Sequence, residues 1–137
     1  MKEFCVDLGI AKKLKENWFP QKYSTSIAYV SDKAGNYYTC YPDTIEQELK
    51  FKEKQIICLP ISDEILKELP NEIIGYILEI VRYEDGTIEA DYARSLWRNE
   101  DTEYLIKSKK LFYKLSDCLA ELWLDLKKKE YIKWNLK

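Results

Sequence analysis

The strongest constraint on the fold is a dipeptide. Asp85-Gly86 separates two runs, IIGYILEIVRY (73–83) and TIEADYARSLW (87–97), both rich in β-branched and aromatic residues. Asp-Gly is a strong hairpin signal because both central positions of a tight turn can take positive φ there. Two antiparallel strands are therefore expected to meet at residues 84–86. A second pair of runs, TSIAYV and NYYTCY, flanks SDKAG, and Gly35-Asn36 supplies its turn, so a hairpin is expected at about residues 25–41. Asn99-Glu100-Asp101 turns the chain once more, into TEYLIKS.

Helical signals bracket these strands. Asp7 precedes Leu8, Ala11, Leu14 and Trp18 at helical spacing, and Pro20 closes the segment. Asp43 or Thr44 can cap a short helix, with Thr44 and Gln47 matching a capping box, before the compact buried strand KQIICLP. Ser62 reads as another cap, with Ile61 and Leu66 placed for a hydrophobic staple and Pro70 as the stop. The closing helix is expected at about 116–129, starting at Ser116 and ending on Lys127, Lys128 and Lys129. At about 100° per residue, Leu115, Cys118, Leu119, Leu122, Trp123 and Leu126 fall in one arc of roughly 140°. Leu124 faces nearly opposite, with Ala120 beside it. Strands and helices without βαβ alternation predict an α+β fold. The expected architecture is a single compact domain over 1–137, an antiparallel meander of about 4–6 strands packed against the N- and C-terminal helices.

Composition narrows the function. At 137 residues a core forms without disulfide or metal staples. Lys+Arg 22 and Asp+Glu 24 interleave to a net charge of −2, so nothing asks for nucleic acid, whose binders carry a basic excess. Of the two dense basic clusters, Lys107/Lys109/Lys110 and Lys127/Lys128/Lys129, the second sits where a helix C-terminus favours cations. The N-terminus lacks the apolar core of a signal peptide, and no run approaches the roughly 18 apolar residues of a membrane span. Cys5, Cys40, Cys58 and Cys118 are scattered without a C-x-x-C pair, as expected of buried thiols in a reducing, cytoplasmic setting.

The chain has no histidine, which removes Ser-His-Asp and Cys-His nucleophiles, the usual neutral-pH acid–base group and the commonest zinc ligand. No two of its 4 glycines lie close enough for a phosphate cradle. No catalytic residue, metal or cofactor is expected. Two acidic groupings stand out in the sequence. Glu84, Asp85, Glu89 and Asp91 surround the Asp-Gly turn, and Glu89 and Asp91 share a strand face that could in principle hold Mg²⁺, although the expected reading is turn residues beside a solvated strand face. Pro42-Asp43 with Glu48-x-Lys50 superficially matches a PD…E-x-K nuclease pattern, but the halves lie too close together for their carboxylates to converge. Tyr29, Tyr37, Tyr38 and Tyr41 crowd one hairpin, with Tyr37 and Tyr41 opposite Tyr38. Exposed aromatics supply large contact area at low entropy cost.

Three stretches share a further likeness. DLGIAKKLKENWFP resembles the A-x-x-L-K-E-x-G-F opening of small bacteriophage and prophage proteins, with Trp18 at the glycine. ISDEILKELPNEI resembles their mid-chain cap-helix-proline element. LSDCLAELWLDLKKKEYIK is similar to their LADALAKLLIWLIKNGYI ending, with Lys127-Lys128-Lys129-Glu130 in place of the more apolar close. The resemblance carries no catalytic residues. It implies a small phage-encoded accessory protein in an infected bacterial cell, acting by non-enzymatic protein–protein interaction, such as inhibition of a host defence system or another host protein. Contact candidates are Tyr37, Tyr38, Tyr41 and Trp97, with Leu124 added if a second chain covers it, which leaves a homodimer open. The alternatives are a metal-dependent hydrolase using Asp43, Glu48, Glu89 or Asp91, and a nucleotide or messenger binder with an aromatic, cationic pocket.

Overall fold

The computed structural model describes residues 5–22, 27–31, 34, 36–42, 56–95 and 102–132. Among these, the elements are α1 (Leu8–Glu16), β1 (Ile27–Ser31), β2 (Tyr37–Cys40), β3 (Ile56–Leu59), α2 (Ser62–Glu68), β4 (Glu72–Ile73), β5 (Tyr76–Arg82), β6 (Ile88–Ser95), β7 (Thr102–Ile106) and α3 (Leu115–Lys128). The fold is α+β with two antiparallel sheets, one of three and one of four strands, where a single sheet was expected. The chain forms two compact units, residues 1–61 and 62–137. The capping box at Thr44 and Gln47 and the turn at 99–101 lie outside the described residues.

In the first unit the sheet order is β2-β1-β3. The expected hairpin forms, with Ala28 opposite Cys40 and Ser31 opposite Tyr37. Strand alternation puts Ala28, Val30, Cys40 and Ile56 into a buried cluster. Tyr29, Tyr37 and Ile57 take the other face, and Tyr29 and Tyr37 meet edge to face at 6.4 Å. α1 packs against β3 and buries Ala11 and Leu14. Two side chains and one backbone amide bond the β3 segment on its outer side. Lys15 Nζ donates to Ile56 O at 2.6 Å, Cys58 N donates to Gln21 Oε1 at 2.9 Å, and Val6 N donates to Pro60 O. Such closure blocks an edge that would otherwise recruit another strand.

α1 ends differently from the expectation. Phe19 N bonds Leu14 O at 2.9 Å and Trp18 N bonds Lys15 O at 3.1 Å, the paired bonds of a Schellman motif, with Phe19 and Leu14 both buried. Trp18 therefore leaves the apolar stripe and takes the left-handed position, φ 66°. Asp7 holds the extended N-cap backbone, but its side chain makes no capping bond.

In the second unit the order is β4-β5-β6-β7. The run read as one strand from residue 73 is broken. Ile74 (φ 50°) and Gly75 (φ 85°) form a two-residue turn between Ile73 and Tyr76, both left-handed as a type I′ turn requires. At the Asp-Gly signal the loop is one residue longer than a two-residue turn. Tyr83 N bonds Thr87 O, Gly86 N bonds Tyr83 O, and only Gly86 is left-handed. Asp85 instead accepts from Thr87 N and Thr87 Oγ1, which holds its carboxyl below the usual range.

β6 is buried from Ile88 to Ala93. β7 pairs Tyr104 with Ala93 and Ile106 with Tyr92, leaving Leu105 as a bulge. Beyond β7 the ladder continues through a side chain: Ser108 Oγ accepts from Ala90 N and donates to Ala90 O. Phe112 then exchanges both backbone bonds with Ile88. α3 packs on α2 and β6. With two neighbours its buried arc exceeds one stripe: Ala120, placed outside the stripe from sequence, is fully buried, and Lys127 is buried with its ammonium 5.3 Å from the Trp123 ring centre. Helix α3 starts at Leu115 after Lys114 rather than at Ser116, whose buried hydroxyl makes no hydrogen bond among the described residues. Its C-terminus repeats the Schellman pattern, with Glu130 left-handed (φ 62°) and Tyr131 N bonded to Leu126 O.

Tyr92 is fully buried, and its hydroxyl donates to Pro70 O at 2.6 Å. Tyr92→Phe removes that bond and strands a carbonyl, so urea unfolding is expected to show a loss of roughly 1–2 kcal/mol.

Candidate binding cleft

A cleft of about 670 Å³ opens in the first unit, lined by Lys12, Lys15, Glu16, Trp18, Tyr37 and Ile57. Helical spacing sets Lys12 against Lys15 and Glu16 on one wall, three and four residues apart. The Schellman closure then swings Trp18 out to the rim, 67% exposed. The sheet contributes Tyr37 from β2 and the buried Ile57 from β3. Lys12 Nζ lies 4.8 Å from the Tyr37 ring centre, a cation–π contact that holds the ammonium at the cleft. Lys15 is held by Ile56 O. The surface thus presents two fixed cations, a carboxylate, two aromatic rings and an apolar floor. That set is suited to holding a ligand, and it contains no activated nucleophile.

The other candidate contacts scatter. Tyr38 and Tyr41 are exposed, and Tyr38 points to the face opposite Tyr37. Leu124 is half-buried on α3. Trp97, Asp43 and Glu48 lie outside the described residues. Among the described residues of this set, only Tyr37 lines the cleft. Trp18 was read as part of a helix stripe, although the glycine in the motif it resembles signals a left-handed position.

The acidic pair of β6 does share a face, across from Glu79 and Val81 of β5, but both residues are buried rather than on the solvated face expected. Asp91 is only 1% exposed, and it accepts from Ser108 N at 3.0 Å. Burial pushes its carboxyl above the usual carboxylate range, against the lowering effect of the Ser108 bond. Glu89 accepts from the Tyr83 hydroxyl, which raises the Tyr83 phenol to about 12. Cys118, behind the same strand, is raised to about 11 by burial and donates to Ile88 O. Among the described residues no three Cys, Asp or Glu side chains cluster to hold a metal ion. Glu84 and Asp85 are exposed turn residues. Asp91 supports the β6–β7 edge through Ser108, while Glu89 is held by Tyr83.

No protein-family model matches the chain, and no curated protein or solved structure is similar to it.

Two outcomes follow from these conformations. Trp18→Gly relieves a left-handed side chain that buries little, so chemical denaturation is expected to show a gain of roughly 0.5–1 kcal/mol. Asp91 has a folded-state pKa above its unfolded value, so its charge costs stability above the folded pKa and costs nothing below the unfolded one. Asp91→Asn keeps an acceptor for Ser108 N. Its melting temperature is expected to exceed the parent's at pH 7, with the gain shrinking towards pH 4.

Proposed function

We propose that this chain is a non-enzymatic interaction protein that binds a host protein, as an inhibitor of a defence system or other host factor in the manner its phage-type resemblance implies. The supporting observation is the β4–β5 hairpin tip. Ile74 is β-branched, left-handed and 76% exposed, and Ile77 just beyond the turn is 61% exposed. A type I′ turn favours Asn or Asp at this first position, and a β-branched residue there is strained. Strain of this kind persists where the surrounding structure holds it, and it concentrates at functional sites. Here it presents a large apolar group to solvent, the kind of side chain that anchors an interface. Trp18 repeats the pattern in the first unit. A membrane role has no support in the helices: among the described residues none is long and apolar enough to cross a bilayer.

Ile74→Asn separates strain from use. The substitution is expected to raise stability by about 1 kcal/mol, because Asn-Gly suits the turn. In cells expressing tagged chain, the partner cross-linked at this hairpin is expected to be lost in the same variant. Equal capture by parent and variant would exclude the hairpin as the contact surface.

A further inference from the structure

We propose that the α1 cleft is a binding site for a nucleoside phosphate. It lies in a different unit from the Ile74 hairpin and calls for a different partner, so it stands or falls separately from the host-protein reading.

Four features of the cleft converge on that ligand class. Its volume, about 670 Å³, lies within the range of small-molecule sites and accommodates one nucleotide. Trp18 offers an exposed indole face at the rim, and a nucleobase stacks on such a face whatever its identity. The Lys12 ammonium has the Tyr37 ring as its neighbour and no carboxylate partner among the described residues. Lys15 is fixed beside it by one bond to Ile56 O, which leaves two N–H donors of its ammonium for a phosphate oxygen. Glu16, on the same wall, accepts from a ribose hydroxyl or a base N–H, and Ile57 gives the apolar floor.

Charge separates this ligand from its neighbours in chemistry. A purely apolar ligand would desolvate two cations and offer neither of them an anion. A long nucleic acid needs a basic track, and the cleft offers two lysines against one glutamate on a chain of net charge −2. One ring with one phosphate group matches what is present.

The test is titration of the full chain with AMP and GMP, followed by calorimetry and by amide NMR shifts. Adenosine, inorganic phosphate and a short oligodeoxythymidylate serve as comparators. Both nucleotides are expected to bind saturably, with shifts confined to α1, Trp18, β2 and Ile57. Each half-ligand is expected to bind at least about tenfold more weakly than AMP, since stacking and phosphate contacts act together. Trp18→Gly, which is expected to be the more stable protein, should weaken AMP roughly tenfold through lost stacking. Lys12→Gln, at an exposed site, should weaken AMP about fivefold and flatten its salt dependence, leaving adenosine unaffected. No saturable binding at millimolar nucleotide, shifts located elsewhere, adenosine binding as tightly as AMP, or much tighter binding of the oligonucleotide would each overturn the proposal.

Discussion

Buried strand edges must have their N–H and C=O groups paired, and in both units side chains do part of that pairing. In the first unit Lys15 and Gln21 serve the backbone of β3 at Ile56 and Cys58. In the second, Ser108 takes the place of a strand residue opposite Ala90, and Asp91 secures Ser108 through its backbone N–H. β3 is buried throughout and β6 from Ile88 to Ala93, and α1 packs on β3 as α3 does on β6.

The same requirement links structure to the candidate sites. Lys15 closes an edge and, in doing so, becomes a fixed cation at the cleft. Asp91 supports an edge by accepting from Ser108 N and is enclosed there at 1% exposure. Two side chains of similar chemical promise thus end in opposite roles, and what separates them is burial. Lys15 remains at the surface with donors to spare, whereas Asp91 is enclosed.

Left-handed residues mark the other theme. Glycine is the usual occupant of this conformation because it lacks the Cβ that clashes with the backbone. Trp18, Ile74 and Glu130 occupy it instead. At Trp18 and Glu130 the helix-closing bonds require the conformation, and at Ile74 a two-residue turn does. A chain that keeps a tryptophan and an isoleucine in such positions, exposed, gives up stability that glycine or asparagine would restore, which is the trade expected of surfaces used for binding.

The residues by themselves determined the α+β class, the 27–40 hairpin, the buried strand at 56–59, the α1 and α3 segments to within a residue or two, and the burial of all four cysteines. These features rest on local periodicity and turn chemistry, which short windows contain. Tertiary structure decided the rest. Ile74-Gly75 breaks an apolar run because strand pairing, which sequence spacing does not reveal, demands a type I′ turn there. Trp18 lies at a helical interval from Leu14 yet leaves the core, because Phe19 takes the closing contact with Leu14. Ala120 and Lys127 are buried because α3 meets two neighbours rather than one. The cleft itself joins residues 12–18 to Tyr37 and Ile57, and only the folded sheet brings those positions together.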